Sequence, residues 1–256
     1  MTLFKGLPDR FNGVTVNSNN ENCDLSEFPR ALEESLKAWK IDKKRGIWFK
    51  VGIQHSEWIP ILVKNGFIFH HAKNDFVMLR KWLSDETDLT PHYAHTLIGV
   101  GAVVIKSDEV LVVKEKYGFN DNWKLPGGYV EPGENIVDAA IREVYEETNI
   151  ETEFNSILNL RHAHGGSWGC SDMYVVVCLN PLTVDIVKCD REIKESKWMK
   201  LDEYLQNPLV HELNKFFLQT YLANKDNSIA IECKHSIHPL LKKPYTVYSA
   251  KIKNKI

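Results

Sequence analysis

The sequence predicts an α+β protein made of two domains and a tail. Helix and strand patterns alternate from residue 1 to about residue 88. A charged, Pro-containing stretch without periodicity, "SDETDLTPHYAH" (84–95), then interrupts them. A second run of strands follows, broken by one strongly patterned helix. The expected division is a small α+β domain at 1–91, a second domain at 92–225 and a C-terminal tail at 226–256.

Taken in order, residues 12–24 are polar and Asn-rich, which predicts a loop. Ser26 is an expected N-cap, because Leu32, Leu36 and Trp39 then recur at helical spacing. "GIWFKVGI" (46–53) is β-branched and aromatic and predicts a strand. Ser56 to Asn65 predicts a helix ended by Gly66, with Trp58, Ile61 and Leu62 on one face. "FIFHH" and "FVMLRKWL" predict two more strands. Trp39, Trp48 and Trp58 read as packing residues, and His70–His71 as a structural pair at a strand end.

Beyond the linker, strands are expected at 96–105 and 109–116 around a "KSD" turn, and again at 153–161, 172–179 and 193–199. The "GVG" inside the first of these lacks the third glycine and following helix of a dinucleotide loop, so it reads as a buried strand. Residues 118–133 predict a Gly- and Pro-rich loop, Asn135 to Thr148 a helix, and 202–222 one or two helices. The tail, with five lysines from Lys242 to Lys255, reads as a solvated end with "YTVYSAKI" as an edge strand.

Composition narrows the function. The 256 residues carry 32 Lys+Arg against 34 Asp+Glu, so no broad basic field invites nucleic acid. The five cysteines are scattered without a CxxC pair, which fits a reducing compartment and offers no zinc site. The first residues have no signal-peptide or transit-peptide pattern, and no apolar run approaches a membrane span. A cytoplasmic protein is the default expectation, with nucleus and mitochondrion left open.

The chemistry lies in the helix at 135–148. At about 100° per residue, Val137, Ala140, Ile141, Val144 and Thr148 form the core-facing stripe. Glu143, Glu146 and Glu147 gather on the stripe beside it, and Asn135 with Asp138 three residues later suits the start. Neighbouring carboxylates on one flank cost roughly 0.2–0.5 kcal/mol per pair. A hard divalent cation removes that conflict, since Mg²⁺ takes carboxylate oxygens and fills its shell with water and phosphate. A solvated acidic face is the ordinary meaning of "EVYEE" alone. The wider pattern, Gly128–x5–Glu134–x7–Arg142–Glu143–Val144–x–Glu146–Glu147–x–x–Ile150, arises by chance with a frequency on the order of 10⁻⁹ to 10⁻⁸ per start position.

"GGYVEPGENIVDAAIREVYEETNI" resembles the Nudix box, the signature of hydrolases of nucleoside diphosphates linked to another moiety X. The one departure is Asn149, where the family pattern has Gly. Gly commonly ends a helix in the left-handed conformation, which Asn tolerates best among the other residues. "FPRALEESLKAWKIDKKRGIWFKVGIQHSEWIPILVKNGFIFHHA" is similar to the pre-Nudix domain of one subgroup, which includes plant ADP-ribose and NADH pyrophosphatases. The resemblance implies an α/β/α-sandwich Nudix fold with a mixed sheet after the small domain. It implies Mg²⁺ or Mn²⁺ held by Glu143, Glu146 and Glu147 with the Gly128 carbonyl, and Arg142 paired with Glu134 to orient them.

The implied reaction is attack of water on one phosphorus of a small nucleotide, with a nucleoside monophosphate as product. ADP-ribose would give AMP and ribose 5-phosphate. The general base is left among Glu143, Glu146 and Glu192, with Glu195 a weaker candidate. Arg161, His164, Trp168 and Tyr129 are candidate substrate contacts, though each also reads as an ordinary loop residue. The HxH pair at 162–164 lacks a third ligand at sensible spacing. Coenzyme A-type and "SQPWPFP"-type substrate signatures are absent. The resemblance also allows a homodimer. The rival readings are a low-turnover nucleotide-binding or regulatory protein, and a Nudix enzyme for another substrate such as capped RNA or damaged nucleotides.

Overall fold

The computed structural model describes residues 3–117, 121–227 and 229–252. Residues 118–120 of the expected loop, and Ser228, Lys253 and Lys255 of the expected tail, lie outside the described residues. The chain divides into two compact units, Met1–Ala94 and His95–Ile256.

In the first unit the order is β1 (Leu7–Pro8), β2 (Val14–Asn17), α1 (Phe28–Ile41), β3 (Gly46–Gly52), α2 (Trp58–Lys64), β4 (Ile68–Lys73) and β5 (Phe76–Trp82). The strands lie in the order β1-β2-β3-β5-β4, with β2 and β3 parallel and the rest antiparallel. One sheet face sends Val14, Val16, Ile47, Phe49, Val51 and Leu79 into a core with Phe28, Leu32 and Trp39 of α1 and Trp58 and Leu62 of α2. Strand pleating puts Gly46 and Trp48 on the opposite face, and Trp82 pairs with Gly46 there.

Two expectations change here. Residues 14–17 are a strand and not loop, because Val14 and Val16 alternate inward and are almost fully buried. Helix α1 starts at Phe28, so Ser26 is not its N-cap; the Asp24 carbonyl instead accepts the Glu27 and Phe28 N–H groups, each at 3.0 Å. Asn65 and Gly66 (φ 81°) end α2 as the sequence indicates.

The second unit contains β6 (Thr96–Lys106), β7 (Glu109–Glu115), α3 (Ile136–Thr148), β8 (Thr152–Ala163), β9 (Ser171–Pro181), β10 (Ile193–Lys200), α4 (Leu201–Gln206), α5 (Glu212–Asn227), β11 (Ile229–Ile237) and β12 (Pro244–Ile252). The main sheet runs β10-β7-β6-β9-β8, and only β6 and β9 are parallel. Alternation along β6 builds both sides. Val100, Ala102 and Val104 meet Ala139, Ala140 and Val144 of α3, while Val103 shares a core with Tyr204 of α4 and Phe217 and Leu218 of α5. The result is an α/β/α sandwich with a mixed sheet. The "GVG" is buried strand; a Cβ on Gly101 would fall 2.0 Å from the Tyr174 hydroxyl, so the glycine makes room for that ring.

The C-terminal segment differs from a solvated end. β11 and β12 pair as an antiparallel hairpin, and Ile231 and Tyr248 pack against the α3 side of the core. Ser156 Oγ accepts the Ile231 N–H at 2.8 Å, and Thr246 Oγ1 donates to Asn135 Oδ1 at 2.8 Å. Among the described residues no helix is long and apolar enough to cross a membrane.

Candidate active site

The site is built on α3 and the loop before it. Asn135 stands at the N-cap position with extended backbone, and its carbonyl accepts the Ala139 N–H at 3.0 Å. Its side chain does not cap the helix; it donates to Asp138 at 2.8 Å and accepts from Thr246. Tyr248 of the hairpin packs against the same core cluster as Ile136 and Val144 of the helix. At the other end Asn149 has φ 60° and ψ 17°, the left-handed conformation, and its N–H reaches the Tyr145 carbonyl at 2.7 Å.

Glu147 lies seven residues after Ala140 and three after Val144, which places it on the edge of the buried face. It is 5% exposed. Its Oε2 accepts the Gly127 N–H at 3.0 Å, and its Oε1 is 3.9 Å from Lys124 Nζ. Burial raises its pKa to about 7, and Lys124 and the Gly127 N–H only partly oppose this. Glu143 is partly buried and also raised, first by burial and then by the charges of Glu146 and Glu192, against the pull of Arg142.

Two glycines let the loop close on these carboxylates. A Cβ on Gly128 would fall 2.5 Å from a Glu143 carboxylate oxygen. A Cβ on Gly127 would fall 2.1 Å from the Val100 carbonyl of β6. The Gly128 carbonyl accepts the Val100 N–H at 2.8 Å, which pins it to the sheet and leaves one lone pair.

Arg142 organises the other flank. Its Nε and one terminal nitrogen grip both Glu134 oxygens, at 2.8 and 2.9 Å. The other terminal nitrogen bridges Glu143 at 2.8 Å and Glu146 at 3.1 Å, and the Tyr129 carbonyl accepts a further bond at 3.1 Å. Glu134 is held below the usual carboxylate range by that arginine, chiefly through the hydrogen bonds. Such forked, charge-assisted contacts fix geometry as well as charge.

A pocket of about 270 Å³ opens here, lined by Gly127, Gly128, Glu143, Glu147, Glu192 and also by Glu115, Tyr117, Lys124 and Ile193. Glu192 comes to its rim because Ile193 pairs with Glu115 and the Glu192 carbonyl accepts the Lys116 N–H at 2.8 Å. Glu115 and Lys124, bound to one another, were not singled out in the sequence. Only the pairing of β7 with β10 brings Glu115 near the helix, and no local pattern encodes that register.

The other candidates lie elsewhere. Glu146 is not on the pocket lining, and its side chain is 55% exposed against Arg142. Glu195 binds Lys114. Arg161 is engaged with Asp172 and lies over the Tyr174 ring at 4.9 Å. His164 Nδ1 is 2.9 Å from Ser171 Oγ, and its ring meets His162 edge-on. Trp168 sits at the tip of the β8–β9 loop, 86% exposed. Tyr129 is exposed and reaches the site by its carbonyl.

A domain description named "Nudix hydrolase domain" matches residues 4–83, and one named "NUDIX domain" matches residues 95–220. Nudix hydrolase 5 of Arabidopsis thaliana is 40% identical over 214 residues, 81% of this chain and 71% of its own length. The chain belongs to the Nudix hydrolase family. Other similar members are Nudix hydrolase 8 of Arabidopsis thaliana and the nucleoside diphosphate-linked moiety X motif 6 protein of Mus musculus. The first is 37% identical over 82% of this chain, the second 36% identical over 78%. The chain spans 58% of the former's length and 66% of the latter's.

Nudix hydrolases generally need divalent metal ions and act on small nucleotides. The donor set of this Nudix hydrolase suits such an ion. It offers hard carboxylate oxygens, and two of the carboxylates carry pKa values raised by burial, a cost that a nearby cation offsets. Among the described residues no three acidic or ligating side chains converge closely enough to hold a metal as they lie. Arg142 occupies Glu143 and Glu146 in this arrangement.

Proposed function

We propose that the protein hydrolyses the diphosphate of an ADP-ribose- or NADH-like nucleotide and releases AMP. The observation that carries this reading is the buried Glu147 beside Glu143 on one pocket wall, with the Gly127–Gly128 backbone between them and Glu192 on the rim. In this reading Glu143, Glu146 and Glu147, with the Gly128 carbonyl, hold Mg²⁺ or Mn²⁺. When bound, the ion neutralises phosphate charge and lowers the pKa of water.

The chain's own residues do the rest. Glu134 fixes Arg142, and Arg142 fixes the orientation of Glu143 and Glu146. Lys124 lends positive charge to the pocket beside Glu147, where a phosphate oxygen gains from it. Glu192 takes the proton of the attacking water; it lines the pocket, whereas Glu146 does not and Glu143 is tied to Arg142. The β8–β9 loop, with Trp168 exposed on it, supplies the base-facing contact. Recognition of the ADP-ribose or NADH type rests on likeness to the subgroup of relatives.

The test is a panel of nucleotide diphosphates incubated with purified protein and Mg²⁺ or Mn²⁺, with products resolved by chromatography. AMP is expected from ADP-ribose or NADH, and loss of that product in Glu146→Gln and Glu147→Gln with the fold intact. Glu192→Gln is expected to lower turnover while leaving metal affinity in place. Silence across the panel would favour a nucleotide-binding role without turnover.

A further inference from the structure

We propose that the first unit carries a second ligand site, for a nucleotide, on the sheet face opposite α1 and α2. A cavity of about 750 Å³ lies there, bounded only by residues of that unit and sharing none with the glutamate pocket. Its size falls within the range of small-molecule sites.

The cavity floor is Gly46. A Cβ placed on it would lie 3.5 Å from Trp48 Nε1 and 3.7 Å from Trp82 Cε3. Two indoles therefore converge on space above a residue that has no side chain to fill it. Phe11 stands at the lip, 63% exposed, on a turn held by Asp9 Oδ1, which accepts the N–H groups of Phe11 and Gly13 at 2.7 and 2.8 Å. On the far side Tyr93 stacks on His71 with ring centroids 4.4 Å apart and planes at 8°. The Pro91 carbonyl is 3.2 Å from His70 Nε2. The strap that closes the cavity is thus fastened at two points.

Cations accompany the rings. The Arg45 guanidinium lies 5.0 Å from the Trp82 ring centroid; one terminal nitrogen pairs with Glu86 at 2.9 Å, and its buried Nε has no hydrogen-bond partner among the described residues. Arg10 lies 4.7 Å from the Phe11 ring centroid and forms no ion pair among the described residues. Asp9 is the one carboxylate on the lining, and one of its oxygens already holds the turn. Aromatic rings accompanied by guanidinium groups fit a stacked base whose phosphate meets arginine. An apolar peptide would use the rings and leave Arg10 and the Arg45 Nε unmatched. The expected arrangement puts the base between Trp48 and Trp82 and the phosphate toward Arg45 and Arg10.

The full chain, kept in EDTA so that no divalent ion is bound, is titrated with AMP by calorimetry and by tryptophan emission. Saturable binding with a change in emission is expected. Gly46→Leu, which fills the space between the indoles, should weaken it at least tenfold with an unchanged circular dichroism spectrum. Arg10→Ala should weaken it several-fold and serves as the second variant if Gly46→Leu does not fold. Absence of AMP binding, or binding that neither variant alters, would overturn the proposal. So would a dimer seen by sedimentation that Gly46→Leu dissociates while AMP has no effect on the wild-type chain, since the cavity would then receive a second copy.

Discussion

Glu147 is where the demands of the fold and of the site conflict most. A carboxylate at 5% exposure keeps one backbone N–H and a distant lysine as its only support among the described residues. Its pKa rises from 4.5 to about 7 on folding. Below about pH 4.5 it is protonated in both states and adds no pH dependence. Between pH 4.5 and about 7 the folded state keeps a proton that the unfolded state has lost, so stability falls as pH rises, by roughly 3 kcal/mol at most. Glu143 acts in the same direction. In metal-free protein, Glu147→Gln should therefore flatten the loss of stability between pH 5 and pH 8. It should also raise the melting temperature of the second unit at pH 8, by roughly 5 °C or more. Thermal unfolding in EDTA at the two pH values measures this; equal slopes for the wild type and the variant would exclude a buried-charge cost. Much of this residue was legible in the sequence, because spacing alone puts it beside the core stripe. Its depth was not, since that depends on how closely Gly127 lies on β6.

At the scale of elements, α3 is finished at both ends by residues that behave differently from one another. Asn149 completes it locally, and the substitution for glycine was readable because φ at a helix end follows from residue type. Asn149→Ala should cost about 1–2 kcal/mol in urea unfolding, the penalty for a Cβ in the left-handed region, while Asn149→Gly should stay within about 1 kcal/mol of wild type. The start of α3 is completed from a distance. Asn135 has the residue type and position of a cap, yet its side chain is drawn to Asp138 and to Thr246 of the hairpin. Thr246→Val, which removes the hydroxyl that binds Asn135, should destabilise the second unit by about 0.5–1.5 kcal/mol, and differential scanning calorimetry can read it. No sequence window joins residues 135 and 246, so this partnership could not be read in advance. The same holds for β2, whose four residues alternate correctly but sit inside an Asn-rich stretch that drowns so short a signal. Strands β6, β7 and β9 stood out because each buries a long run of residues.

At the scale of the molecule, each unit has its own core: one around Phe28, Phe49 and Trp58, the other on both faces of the β6-centred sheet. Heat should therefore unfold the chain in two transitions. Mg²⁺ should raise only the transition of the second unit, by the mass-action stabilisation that any ligand of the folded state confers. Calorimetry of the full chain with and without Mg²⁺ tests this, and a single transition that moves as a whole would exclude independent cores. The acidic motif, the two-domain plan and the α/β/α sandwich were all legible, because periodicity and motif spacing are local. The pairing of β7 with β10 that sets Glu115 and Glu192 at one rim was not, because register belongs to the assembled sheet.

The hairpin carries a consequence for biosynthesis. Thr246 binds Asn135 across 111 positions of sequence, and Tyr248 packs on the core cluster that the same helix completes. A ribosome needs roughly 5–20 s to add that many residues. During that interval Asn135 lacks its hairpin partner, and a nascent chain stopped before the hairpin would carry the whole acidic motif on a helix without that contact or the packing of Ile231 and Tyr248.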